Sequence, residues 1–124
     1  MARLLVVEDD PIIQVLVREV LVGAGYEVAV ADDGESGLEQ VRAERPDLMV
    51  LDVMMPGIDG YEVLAQVRGN PETAELPVVM LTALNSDEDI QKGFAAGAND
   101  YVTKPFQAEE LLASVSALVA PTRA

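Results

Sequence analysis

Three stretches of this chain are apolar without interruption: Leu4-Leu5-Val6-Val7, Leu48-Met49-Val50-Leu51 and Pro77-Val78-Val79-Met80-Leu81. A strand with one wet face alternates apolar and polar residues. A strand apolar at every position must be covered on both faces, which is the situation of a parallel sheet between helices. The segments between these runs carry the helical period instead. Asp10-Pro11 reads as an N-cap followed by proline at the first helical position, and Ile13, Leu16, Val17 and Val20 follow until Gly23 and Gly25 end the helix. Tyr26–Val30 is a second short strand, and Gly34–Glu44 a second helix with Leu38 and Val41 inward and Pro46 just beyond. Tyr61–Arg68 is a third helix, with Val63, Leu64 and Val67 inward, broken by Gly69-Asn70-Pro71. Ser86 caps a fourth, whose acidic first turn Asp87-Glu88-Asp89 suits a helix N-terminus and which stops at Gly97-Ala98-Asn99. Asp100–Thr103 is a fifth strand, and Glu109–Val119 a fifth helix. Five strands alternating with five helices, joined by right-handed crossovers, predict an α/β fold: a doubly wound five-stranded parallel sheet in a three-layer sandwich.

That architecture says where function sits, because ligands of such sheets lie beyond the carboxyl ends of the strands. The first strand ends in Glu8 and Asp9, the third in Asp52 and the fourth in Thr82, and Lys104 lies just past the fifth. The bland readings are an acidic helix cap for Glu8-Asp9-Asp10, a turn former for Asp52, an ordinary strand residue for Thr82 and a solvated lysine for Lys104. Their placement on one edge favours a joint role. Carboxylates brought close together repel unless a cation joins them, and an all-oxygen set of this size suits Mg²⁺. A hydroxyl and a fixed ammonium complete a phosphoryl-binding constellation, with Asp52 as the carboxylate able to attack phosphorus.

Composition narrows the alternatives. With neither Cys nor His, thiolate and imidazole chemistry is excluded, and with it Cys/His zinc sites and Ser-His-Asp triads. Twenty-two acidic against 8 basic residues, a net charge of −14, argue against a nucleic-acid surface. The apolar half of the chain argues against disorder. No signal-peptide pattern and no apolar stretch of about 18–20 residues is present, so a soluble, cytoplasmic chain with no membrane contact is expected.

Six segments, in order, resemble the receiver domain of bacterial two-component response regulators, of the chemotaxis-regulator type, over essentially the whole chain. They are Leu5-Val6-Val7-Glu8-Asp9-Asp10, Asp47-Leu48-Met49-Val50-Leu51-Asp52, Met55-Pro56-Gly57-Ile58-Asp59-Gly60, Pro77-Val78-Val79-Met80-Leu81-Thr82-Ala83, Gly97-Ala98-Asn99-Asp100-Tyr101 and Lys104-Pro105-Phe106. The resemblance implies a flavodoxin-like sheet of order 2-1-3-4-5 and a single receiver domain over residues 1–124. It implies that Asp52 is the phosphoacceptor, and that Glu8, Asp9, Asp52 and the backbone carbonyl of Met54 hold Mg²⁺. Thr82 is the implied switch hydroxyl, Lys104 the phosphate-binding lysine and Tyr101 the aromatic that turns with Thr82. Ala83 is the small neighbour of the pocket, and Lys104-Pro105 a cis peptide. Glu8 stands where Asp is common; Asp9 is expected to be the inner ligand, with Glu8 acting through water. Met54 and Leu84, apolar at the pocket mouth, lead us to expect slow self-dephosphorylation.

The implied donor is a sensor histidine kinase or phosphotransfer protein, and the implied output is altered binding of an effector protein through the 82–119 face. The fourth helix, with Ile90 and Phe94 as its large apolar residues, is expected to be the weakly held element that moves. Ser114 stands where a dimerising arginine falls in the winged-helix regulators of this superfamily, so a monomer or weak dimer without direct DNA contact is expected. A stand-alone receiver is the first reading. The alternatives are a receiver cut from a larger transcriptional regulator or hybrid kinase and, less favoured, a Mg²⁺-dependent aspartyl-phosphate phosphatase. The phosphatase reading lacks a second carboxylate, since Asp52-Val53-Met54 is not Asp-x-Asp. A nucleotide or flavin binder lacks a glycine-rich phosphate loop after the first strand. A phosphorylation-independent interaction platform ranks low, because every pocket group is present. The chain is thus expected to be a phosphoacceptor signalling domain rather than an enzyme, promoting only its own phosphorylation and slow self-dephosphorylation.

Overall fold

A computed structural model describes residues 2–120; Met1 and residues 121–124, including the chain end that bears on the stand-alone reading, lie outside the described residues. Its elements run β1 (Arg3–Val7), α1 (Pro11–Gly23), β2 (Glu27–Ala31), α2 (Gly34–Ala43), β3 (Leu48–Leu51), α3 (Gly60–Gly69), β4 (Val78–Thr82), α4 (Asp87–Ala95), β5 (Asp100–Thr103) and α5 (Ala108–Leu118). All pairings are parallel and the order is β2-β1-β3-β4-β5, as expected. The order reverses between β1 and β3, which places the topological switch point at the ends of those two strands.

The uninterrupted apolar runs are split by the pleat into two cores. Leu5, Val7, Met49, Leu51, Val78 and Met80 face α2 and α3, meeting Leu38, Val41, Val63, Leu64 and Val67. Leu4, Val6, Leu48, Val50, Val79 and Leu81 face α1 and α5, meeting Val17, Leu21, Leu111 and Val115. Side chains alternate faces along a strand, so four consecutive apolar residues supply two to each core.

Three strands differ from expectation by one residue, the first beginning at Arg3 rather than Leu4. The second strand is Glu27–Ala31 rather than Tyr26–Val30, its register with β1 beginning at Arg3↔Glu27. Tyr26 instead packs into the α1/α5 core and donates its hydroxyl to the Val119 carbonyl at 2.7 Å. The fourth strand is Val78–Thr82, because Pro77 has no N–H to donate and serves only as acceptor, from Met49 N at 2.9 Å. Helix ends shift by a residue at α2, α3 and α5.

The helix starts show where part of the negative charge is used. Asp10, Asp33 and Asp59 each cap a helix through the side chain, accepting from Ile12 N, Ser36 N and Glu62 N at 2.9, 2.8 and 3.0 Å. Ser86 and Asp89 form a reciprocal capping box on α4. All four caps lie on the edge where the strands end, so the helix N-termini turn toward the same rim as Glu8 and Asp52.

Candidate functional site

The strand ends do bring the expected groups together. β1 delivers Glu8 and Asp9, and β3 delivers Asp52. Ligand oxygens of these three residues lie within 4.8 Å of one another. Glu8 is 2% and Asp52 4% exposed, whereas Asp9 faces solvent. The more deeply buried acid is therefore Glu8, with Asp9 on the solvent side of the cluster. The reason is its partners: Glu8 accepts from Lys104 Nζ at 2.6 Å and from Asp10 N at 3.0 Å. Lys104 Nζ also reaches Asp52 Oδ2 at 3.3 Å, so one ammonium spans two buried carboxylates. The Lys104-Pro105 peptide is cis, with Pro105 exposed.

The electrostatics follow from those contacts. Burial pushes the Glu8 carboxyl above its ordinary 4.5; the Lys104 hydrogen bond and that of Asp10 N pull it back, and Asp52 adds to the rise. Lys104 is the converse. Burial alone would lower its ammonium, yet the Glu8 hydrogen bond and the charges of Asp52 and Glu8 outweigh it and hold the value above 10.5. Both partners therefore move upward, Glu8 chiefly through burial and Lys104 through the two acids it faces.

Asp52 Oδ1 accepts from Met54 N at 3.3 Å, which turns the loop after β3 around the carboxylate. Gly60 makes that turn possible. A Cβ there would lie 2.4 Å from the Asp52 carbonyl oxygen and 2.7 Å from Val53 Cα, both backbone atoms that have nowhere to go. Thr82 is fully buried at the end of β4, its hydroxyl accepting from Leu84 N at 3.4 Å. Ala83 is exposed beside it. Tyr101 lies partly buried on β5 and donates its hydroxyl to the Leu84 carbonyl at 2.7 Å. Its hydroxyl is pushed up to about 12, chiefly by burial. Met54, 59% exposed, and Leu84 line a cleft of about 520 Å³ together with Met55, Tyr61 and Lys92.

Two supporting residues gave no sign in the sequence. Gln14 Nε2 on α1 donates to the Glu8 carbonyl at 2.5 Å and to Asp32 Oδ1 at 2.8 Å, tying the end of β1 to the loop after β2. Arg68 at the end of α3 donates to the carbonyls of Leu76 and Gly97 and to Asn99 Oδ1 at 2.6, 2.8 and 3.0 Å, fixing the turn that leads into β5. A glutamine in a first helical turn and an arginine in a last helical turn are both ordinary surface residues, so only the three-dimensional contacts distinguish them.

The arrangement is an oxygen-rich, negatively charged notch with one positive arm and one buried hydroxyl at a sheet switch point. Three carboxylates in such proximity, two of them buried, fit a small hard divalent cation. No helix among the described residues is long and apolar enough to cross a membrane.

Comparison with known proteins agrees with this geometry. The model of the response regulator receiver domain matches residues 4–116. The DNA-binding dual master transcriptional regulator RpaA of Synechocystis is 47% identical over 122 residues, covering 98% of this chain and 51% of RpaA. Transcriptional regulatory protein AfsQ1 of Streptomyces coelicolor is 46% identical, with 96% of this chain and 52% of AfsQ1 covered. The chain therefore spans about half the length of these curated relatives. Among solved structures, Vibrio cholerae chemotaxis protein CheY4 superposes with a TM-score of 0.89 at 37% identity, covering 96% of this chain and 99% of CheY4.

Proposed function

The chain belongs to the response regulator receiver domain family of two-component signalling, and on that premise we propose that it accepts a phosphoryl group on Asp52 and uses it to change partner binding. The observation that carries the reading is the Lys104 ammonium held between Glu8 and Asp52 at the switch point of the sheet. An Asp52 carboxylate oxygen attacks phosphorus of a phosphohistidine on a sensor kinase or phosphotransfer protein. The P–O bond to Asp52 forms, the P–N bond breaks, and the imidazole leaves with a proton from solvent. Lys104 neutralises charge on the incoming group, and the Thr82 hydroxyl is the donor for a phosphoryl oxygen. Glu8, Asp9, Asp52 and the Met54 carbonyl are the proposed holders of Mg²⁺. That ion, when bound, supplies further charge neutralisation for the phosphoryl oxygens.

The output surface in this reading is α4, β5 and α5, where Phe94 is 45% exposed and Tyr101 connects to Leu84 beside Thr82. The partner is an effector that reads the position of that face. The length of the curated relatives supports a second setting for the same switch, as the receiver of a longer regulator whose output lies outside these residues. Incubation with acetyl phosphate, with and without Mg²⁺, tests the reading. The parent takes up phosphate in a metal-dependent way and Asp52→Asn does not. Equal labelling of the two proteins would refute it.

A further inference from the structure

Helix α4 carries a glycine in its interior, at Gly93, and that glycine is its buried residue. Glycine is a poor choice there, because it has more backbone freedom to lose than any other residue and offers nothing to pack. The neighbours explain it. A Cβ at Gly93 would lie 2.8 Å from both Cδ2 and Cε2 of Tyr101, closer than real Cβ contacts come. It would also lie 3.3 Å from Met80 Sδ, a contact that a flexible thioether relieves by a few tenths of an ångström. The Tyr101 ring has no such freedom while its hydroxyl donates to the Leu84 carbonyl at 2.7 Å and Phe94 lies 6.4 Å away, centroid to centroid.

We propose that Gly93 is a positioning residue: the space left by its missing side chain is the seat in which the Tyr101 ring lies inward, within reach of the loop after Thr82. The contacts are sequential. Gly93 admits the ring, the ring places its hydroxyl on the Leu84 carbonyl, and Leu84 N donates to Thr82 Oγ1 at 3.4 Å. Any β-carbon at 93 ejects the ring or lifts α4, and breaks that sequence at its first step. The inference rests on the reading of Thr82 and Tyr101 as the switch pair, but the seat itself exists without phosphorylation and is measured separately.

Fluorine NMR on the full chain with ring-fluorinated tyrosine reads the seat directly. The chain has 3 tyrosines, and Tyr101→Phe assigns the signal that matters. In the parent the Tyr101 signal keeps the limited H₂O/D₂O sensitivity of a partly buried ring; in Gly93→Ala it moves and its solvent sensitivity rises. A double-mutant cycle supplies the second readout. In a Tyr101→Ala background the obstacle is gone, so Gly93→Ala raises the folded-to-unfolded ratio about fivefold through the lower freedom of the unfolded chain. With Tyr101 present that gain disappears. An unmoved Tyr101 signal, or the same gain in both backgrounds, overturns the proposal. If Gly93→Ala does not fold, recovery of folding by adding Tyr101→Ala supports the seat and failure of both variants overturns it. Acetyl phosphate labelling of the parent stays independent of these outcomes: a moved ring signal with no Asp52 labelling leaves the seat standing and removes the signalling function.

Discussion

Replacing Lys104 by methionine keeps the stem of the side chain and removes the charge between two buried acids. Nζ lies 2.6 Å from Glu8 and 3.3 Å from Asp52, and the Lys104 side chain is only 17% exposed. Removing one member of a buried ion pair leaves its partners desolvated and uncompensated, at a cost of about 3–5 kcal/mol. This pocket opens to solvent on the Asp9 side, so the lower end, about 3 kcal/mol, is expected. For a domain of this size that lowers the melting temperature by roughly 10–15 °C. The loss depends on pH. Glu8 already sits above 4.5, and without the ammonium it rises further. A carboxyl raised in the folded state takes up a proton on folding, so stability falls as pH climbs from about 4.5 through the folded value. The parent's Lys104, raised above 10.5, gives its full stabilisation below 10.5 and loses it as pH rises through the folded value. The deficit of Lys104→Met is therefore largest near neutrality and shrinks toward pH 4.5. Thermal unfolding followed by circular dichroism, in chelator-containing buffer at about pH 7 and about pH 5, measures it. Equal melting temperatures at neutrality, or a deficit that grows on acidification, would refute the reasoning.

Other perturbations probe neighbouring parts of the site. Gly60→Ala drives a Cβ into the Asp52 carbonyl and Val53 Cα, and should cost about 1–3 kcal/mol in urea unfolding while slowing Asp52 labelling; an unaltered midpoint and rate would show that the loop yields freely. Met54→Asn with Leu84→Glu places polar groups at the pocket mouth and should shorten the phosphoryl half-life several-fold. A half-life unchanged in that variant counts against the role of the apolar mouth. Beryllofluoride, a phosphoryl mimic, should alter amide exchange mainly in residues 83–103, and protection changes spread evenly over the sheet would speak against α4 as the moving element.

Much of the architecture is readable from residue order because burial on both faces leaves no alternative for Leu4–Val7 and Leu48–Leu51. The strand-end rule then locates Glu8, Asp9, Asp52, Thr82 and Lys104 on one edge from residue order alone. What escapes is decided by contacts between distant segments. Tyr26 continues the pattern of β2 in sequence but is taken from the strand by the Val119 carbonyl. Residue order does not say which of Glu8 and Asp9 is buried; the pleat and Lys104 bury Glu8 and leave Asp9 wet. α4 reads as poorly packed because its large apolar residues are few; its tight contact is made by Gly93, a residue with no side chain to signal it.

The central claim is that phosphate becomes covalently attached to Asp52, and reduction of the acyl phosphate tests it most directly. Borohydride converts a phosphorylated aspartate to homoserine, so the protein is treated with acetyl phosphate and Mg²⁺, reduced, digested and sequenced by mass spectrometry. Homoserine is expected at position 52 and is lost when Mg²⁺ is withheld. Homoserine at Asp9, a reduced Glu8, or no reduced residue at all would contradict it.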